Sequence, residues 1–299
     1  MTVDAATRRR TLLLLAVLTL VWGTNWPLFP LVLREVSVWT FRSVSMTGAA
    51  LLLLAVARLR GQSLVIERRH WKAVALAALC NLVVWNLASA LAAVLIPSGQ
   101  AAVLGFTMPV WAALISWAVL GEQLSWRRWA AVALAGAGVA LLARASWAAY
   151  AQAPLGLALG LLSAVSWAVG TLILKRAGIA APATVLSGWQ LLLASLPVTA
   201  GALVLAPASP QWPPLTTIAL IAYITIVPMG VGNVAWFSIV NLLPASLAGL
   251  SSILVPVVAM TAGAIAHGEP LGPVQLIAMG CCAAALALAL GPAPATSKR

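Results

Sequence analysis

Acidic residues and histidines are nearly absent: five Asp and Glu and two His in 299 residues. Charged residues of both signs make up 7% of the chain, where a soluble domain carries about 25%. So little charge cannot cover a water-facing surface, which excludes an ordinary soluble domain. Asp4, Glu35, Glu67, Glu122 and Glu269, with His70 and His267, fall at the ends of apolar runs or between them. No carboxylate or imidazole remains inside a run. That excludes a metal site at depth and argues against a proton relay, which places titratable groups in the path. It also disfavours a lipid-active membrane enzyme, which needs a nucleophile–base or His/Asp/Glu cluster near one interface. No cofactor is implied. The three cysteines, Cys80, Cys281 and Cys282, lie within apolar runs and show neither disulfide nor zinc spacing. They read as small core residues.

Apolar sequence is what the chain has. Hydrophobic residues make up 63% of it, and the mean hydropathy is +1.05. A membrane-spanning helix needs about 20 apolar residues. Ten runs qualify: 12–33, 38–57, 73–95, 98–120, 127–144, 155–174, 183–205, 215–240, 245–266 and 272–291. Without the two-residue alternation of a barrel strand, they predict an all-α integral membrane protein.

The net charge of +12 suggests a nucleic-acid partner, but its distribution does not. With the N-terminus cytoplasmic, fourteen of the seventeen Lys and Arg fall at inner ends of the runs, and only Arg34 and Arg144 at outer ends. The remaining one, Arg42, lies within a run. This satisfies the positive-inside rule for ten spans with both termini cytoplasmic, in an inner (plasma) membrane. The expected partners are the lipid bilayer and a small molecule, not nucleic acid. "TRRRTLLLLAVL" resembles a twin-arginine signal, but it lacks a small-residue cleavage site and reads as a first span with a basic anchor.

The chain repeats itself. At an offset of 147, Pro97 falls on Pro244, Pro109 on Pro256, Gly121-Glu122 on Gly268-Glu269, and Asn86 on Asn233. With a drift of a residue or two, Trp22 matches Trp167 and Phe41-Arg42 matches Trp189-Gln190. The expected organisation is a first five-helix repeat over 1–144, a linker over 145–154, a second repeat over 155–291 and a cytoplasmic tail over 292–299. Five spans is an odd number, so the halves enter the membrane from opposite sides. Inverted repeats of this kind place a substrate site near the midplane between them, around a central cavity, and provide for alternating access.

"VWGTNW" in the first run, "FR" opening the second, and the two prolines followed by Gly-Glu across the fourth and fifth resemble the EamA-type family of the drug/metabolite transporter superfamily. Within it the chain looks most like YddG-type exporters of aromatic amino acids. The resemblance implies export of small metabolites through a cavity lined by spans 1–4 and 6–9, with spans 5 and 10 peripheral.

The candidate substrate-binding residues are Trp22, Asn25, Arg42, Asn86, Phe106, Trp167, Gln190, Asn233 and Phe237. Trp22 and Trp167 match between halves, and indole walls suit large apolar side chains. Arg42 either pairs with a substrate carboxylate or snorkels to the interface; Glu35 is a structural alternative as its partner. Asn86 and Asn233 either bind substrate or tie helices together. Asn25 and Gln190 carry the same ambiguity. Phe237, one turn beyond Asn233, shares its face. Pro109 and Pro256 are candidate hinges, each removing a backbone donor and bending its helix. Glu122 and Glu269 read as structural, through turn capping or pairing with Arg127 and Arg128. The expected function is facilitated export of neutral or aromatic amino acids. The alternatives are a multidrug or cationic-compound exporter on the same fold, and a lipid-active membrane enzyme.

Overall fold

The structure is a computed structural model, describing residues 5–96, 98–105, 107–145, 147–206, 212–243, 248, 252, 254–267 and 272–290. Phe106, Pro97, Pro244 and the Gly268-Glu269 pair lie outside them. All regular structure among the described residues is helical. Eight segments are long and apolar enough to cross a bilayer: Arg9–Leu33, Val38–Leu59, Arg68–Ala92, Val103–Leu120, Trp126–Ala145, Pro154–Ala177, Ala183–Leu205 and Leu215–Leu242. The last two expected runs contain the shorter helices Val255–His267 and Pro273–Leu290.

Several of these spans are broken, and the breaks shape the interior. The first consists of α1 (Ala5–Gly23), a 3₁₀ turn (Trp26–Leu28) and the short α2 (Phe29–Leu33). Pro27 and Pro30 stand where new turns start, because a helix tolerates proline in its first turn and not later. The second, α3 (Val38–Leu59), is unbroken; Ser37 caps it by accepting the Thr40 N–H at 3.1 Å. The third runs through α4 (Trp71–Ala78), a π-helical segment (Leu79–Val84) and α5 (Trp85–Leu95). The fourth is split into α6 (Ser98–Gly105) and α7 (Met108–Leu120), and Gly121, at φ +64°, ends α7 in the left-handed region that favours glycine. α8 (Trp126–Ala145), α9 (Trp147–Gln152), α10 (Pro154–Ala177) and α11 (Ala183–Leu205) follow. The eighth span repeats the pattern of the third, with α12 (Leu215–Ile224), a π-helical segment (Thr225–Gly232) and α13 (Asn233–Leu242). α14 (Val255–His267) and α15 (Pro273–Leu290) end the described fold.

α3 and α11 form an antiparallel pair. The Ser43 and Thr199 hydroxyls are 2.7 Å apart, and a Cβ added at Gly188 would sit 2.8 Å from Leu54 Cγ. Rising residue numbers on one helix therefore meet falling numbers on the other. α8 and α15 pack together through Ala131, Ala135, Cys282 and Ala285. Gly138 allows the contact, since a Cβ there would lie 3.1 Å from the Ala278 carbonyl. The outer surface carries large exposed apolar side chains, among them Leu59, Leu203 and Val204, as a bilayer requires.

One end of the bundle is tied by cations on helix C-termini. Lys175 Nζ donates to the Val240 carbonyl at 2.8 Å, and Arg176 Nη2 to the Val119 carbonyl at 2.8 Å. These cap the last turns of α13 and α7, where orphan carbonyls and the helix dipole favour positive charge. At the foot of α7, Glu122 accepts from Ser116 Oγ and from Arg128 Nη1 at 3.1 Å. Its role is to close a turn, away from the central cavity.

Candidate functional site

A cavity of about 390 Å³ opens between the spans, within the usual range for small-molecule sites. Its wall includes Trp22, Asn25, Arg42, Asn86, Trp167 and Asn233, six of the nine residues singled out from sequence. Phe106 lies outside the described residues. Gln190 and Phe237 are fully buried and do not line the cavity. Phe237 is a turn past Asn233 toward the tied end, where Trp236, Ile239 and Val240 pack into a solid core. Sharing a face with Asn233 was not enough, because the cavity ends first. Among the described residues, none of α8 or α15 is on the wall.

The chain breaks place the polar groups. The interruption after Gly23 turns Asn25, Trp26 and Phe29 onto the wall. Gly23 stands there because a Cβ would sit 2.5 Å from the Val258 side chain. Pro109 and Pro256 are both buried and stand second in their helices, α7 and α14. At Pro109, expected as a hinge, α6 ends at Gly105 and α7 starts at Met108. In a first turn the missing N–H has no intrahelical partner to lose. The cavity residues Met108 and Val255 immediately precede these prolines.

Asn86 and Asn233 sit just beyond the two π-helical segments. A π turn shifts the i→i−4 ladder by one residue. Asn86 Nδ2 donates to the Leu82 carbonyl at 2.6 Å, and Asn233 Nδ2 to the Met229 carbonyl at 2.8 Å. Each carboxamide thus bonds its own helix rather than a neighbouring one. Asn233 Oδ1 remains enclosed without a partner, and so does Asn25 Oδ1. The cavity therefore offers acceptors to a ligand N–H.

Arg42 is buried, with 4% of its surface exposed. Its guanidinium carbon lies 4.3 Å from the Phe29 ring centroid and 5.1 Å from that of Phe41. Both rings stabilise the cation through their π faces. Nε is enclosed without a hydrogen bond. Neither Arg42 nor Glu35 takes part in an ion pair among the described residues, unlike Arg69 with Glu67 and Arg128 with Glu122. Arg42 does not snorkel away, and Glu35 does not neutralise it. No Asp, Glu or His among the described residues is on the cavity wall.

Three indoles of the wall, Trp22, Trp85 and Trp167, cluster with Trp236 behind them. Trp167 meets Trp22 edge-on at 5.3 Å, Trp85 at 5.1 Å and Trp236 at 5.5 Å, and Trp22 stacks on Trp236 at 5.7 Å. Such pairs contribute about 0.5–1.5 kcal/mol each beyond their burial. Trp22 Nε1 donates to the Pro228 carbonyl at 3.2 Å. Gly232 makes room for it, since a Cβ there would sit 2.3 Å from Trp22 Nε1. Trp167 Nε1 and Trp236 Nε1 are enclosed without partners. So are Ser45 Oγ, Ser187 Oγ and the whole carboxamides of Asn81 and Gln190. An orphaned buried polar group costs about 1–3 kcal/mol.

Sequence reasoning missed Trp26, Phe29, Trp85, Met108 and Met229 on the wall. The run "NWPLFP" held a signal for two of them. Two prolines so close together break a helix, and residues at a break turn toward the interior. Trp85 adjoins Asn86. Nothing in the local sequence marks Met108 or Met229 as more than core.

A broken-helix membrane bundle around a polar-studded aromatic cavity, with no convergent cluster of three His, Cys, Asp or Glu among the described residues, has the architecture of a small-molecule carrier. The EamA-like transporter family model matches residues 9–144 and again 154–291, and the chain belongs to that family. It is 29% identical over 266 residues to the uncharacterized transporter YvbV of Bacillus subtilis, covering 88% of this chain and 86% of that one. It is 24% identical over 279 residues to the uncharacterized inner membrane transporter YedA of Escherichia coli K12, covering 92% and 88%. One solved crystal structure superposes with a TM-score of 0.77 over 94% of this chain and 97% of its own, at 20% identity. That last likeness concerns the fold alone.

Proposed function

We propose that this chain is an inner-membrane exporter of neutral and aromatic amino acids, working by alternating access. It has ten spans in two inverted five-helix repeats, with both termini cytoplasmic. The matched π segments and the matched prolines support the repeat reading. The distribution of basic residues and the relative named an inner membrane transporter support the location. One observation carries the substrate class. Arg42, buried and without an acidic partner, lies on a cavity walled by tryptophans and holding unpartnered Asn oxygens.

A zwitterion fits this set. Its carboxylate meets the guanidinium of Arg42, and a charge-assisted bond of that kind is among the strongest available. Its ammonium meets Oδ1 of Asn25 and Asn233. An apolar or aromatic side chain lies against Trp22, Trp85 and Trp167. The unneutralised Arg42 disfavours an organic cation at the same place. Substrate moves down its own gradient, a reading supported by the lack of a carboxylate or imidazole on the wall among the described residues.

The test is flux of a radiolabelled amino-acid panel in proteoliposomes, with tetraphenylphosphonium as the organic-cation control. Saturable flux of phenylalanine, tryptophan and leucine is expected, lost in Arg42→Ala and Trp167→Ala. Unchanged transport in both variants, with the protein folded, refutes the site. Flux of the cation alone moves the reading to multidrug export. Lipid turnover without flux moves it to a membrane enzyme.

A further inference from the structure

The cavity lies toward one end of the bundle, and a second set of polar groups lies toward the other. Arg42 is five residues into α3, and Gln190 is eight residues into α11. Because the two helices are antiparallel, residue 43 lies beside 199 and residue 54 beside 188. At 1.5 Å per residue, Arg42 and Gln190 are separated by about 15 Å along the pair. Gln190 has no exposed surface, and neither Oε1 nor Nε2 has a partner. Ser187, three residues earlier on the same face, is also fully buried with an unpartnered hydroxyl.

Their surroundings are poorly suited to a fixed polar site. The core cluster shared by α3, α4 and α11 includes small side chains, Ala49, Ala50, Ala77, Ala78 and Ala194, beside larger ones such as Leu53, Leu186 and Leu191. Buried carboxamides are nearly always hydrogen-bonded, and here two neighbouring groups on one helix face are not. At the same end a cleft of about 380 Å³ is lined by Leu174, Lys175, Gly178, Ile179 and Asn241. The Lys175–Val240 bond crosses this end. Small-residue interfaces let helices approach closely with little side-chain interlocking, which suits a contact that opens and closes.

We infer that Ser187 and Gln190 form a second polar subsite, closed in this structure, which opens toward the Lys175 end when the Arg42 cavity shuts. It takes the same zwitterionic substrate. The Gln190 carboxamide offers N–H to a carboxylate or C=O to an ammonium, and the Ser187 hydroxyl serves either. The inference rests on the alternating-access reading and adds to it the residues that meet substrate on the opposite side.

The test is cysteine accessibility in the Cys80→Ala, Cys281→Ala, Cys282→Ala background, in sealed vesicles of both orientations with a membrane-impermeant maleimide. Asn86→Cys should react from one face. Gln190→Cys should react from the opposite face only, and Val198→Cys, deep in the same helix, from neither. Ser187→Cys gives the same readout should Gln190→Cys fail to fold. In the native background, Gln190→Leu should lower phenylalanine flux at least tenfold. Binding to the Arg42 cavity, read by tryptophan fluorescence, should stay within twofold. Labelling of positions 187 and 190 from neither face, or from the Asn86 face, overturns the second subsite whatever the flux. Labelling from the opposite face with no flux across the panel upholds the subsite and overturns the amino-acid reading alone.

Discussion

Arg42→Met separates what the guanidinium contributes to binding from what it costs the fold. Arg42 is buried and unpaired by any acid. Holding a cation there carries a desolvation penalty of several kcal/mol even after relaxation and water access reduce it. The faces of Phe29 and Phe41 return about 0.5–2 kcal/mol each. Methionine keeps most of the length and removes the charge, so the apo protein should become more stable by about 1–3 kcal/mol. Binding should move the other way. A hydrogen bond to a charged group contributes about 1.5–3 kcal/mol, which is about 10- to 150-fold in Kd. Comparing phenylalanine with its amide isolates this term, because the amide lacks the carboxylate. The variant should lose 10- to 150-fold affinity for phenylalanine and less than threefold for phenylalaninamide. Tryptophan fluorescence titration and thermal unfolding in detergent measure both quantities on one sample. Equal losses for the two ligands, or a lower melting temperature with no loss of affinity, would refute the role given to Arg42.

Other consequences are as direct. Gly232→Ala puts a Cβ 2.3 Å from Trp22 Nε1. It should cost about 1–3 kcal/mol by overpacking, offset in part by alanine's better helix propensity. It should also shift tryptophan emission, whereas Gly280→Ala, with nothing within 4 Å, should be neutral or stabilising. Glu122→Gln removes the half-buried pair with Arg128. It should lower stability by about 1 kcal/mol and leave flux unchanged, as thermal unfolding and the liposome assay will show. Imposing a proton gradient on loaded proteoliposomes should change initial flux less than twofold, and acceleration of tenfold or more would end the uncoupled reading.

The helical membrane architecture was legible because twenty-residue apolar runs admit few alternatives. The broken helices were legible in part, since Pro27, Pro109 and Pro256 stand where chains restart. The first π segment was not legible: Leu79–Val84 contains no proline, and its composition is that of any apolar helix. Its trace in sequence is Asn86, whose carboxamide donates to the Leu82 carbonyl, where an asparagine in sequence reads as a ligand or a tie between helices. Trp22, Trp167 and Arg42 could be chosen because a matched indole or a lone cation stands out against alanine and leucine. Met108 and Met229 could not, since a methionine on a cavity wall reads like one in a core. Gln190 shows a different limit. Its identity pointed to a polar environment, but sequence carries no information about which conformation supplies it.

The two π segments bear on why the carboxamides recur. Leu79–Val84 precedes Asn86, and Thr225–Gly232 precedes Asn233, at positions related by the same offset of 147. The second contains Pro228, whose missing N–H would itself disturb the ladder; the first does not. A cause common to both must therefore lie elsewhere, and the feature they share is the asparagine donating four residues back. The side-chain N–H adds a donor to the carbonyl four residues back, which at Leu82 also accepts the Trp85 N–H, and the bond fixes the side chain's orientation. The Nδ2 face is committed to the helix and the Oδ1 face is left for something else. The structural role of the asparagines is carried by Nδ2, and under the proposed function binding would fall to Oδ1, so the two roles do not compete for one atom.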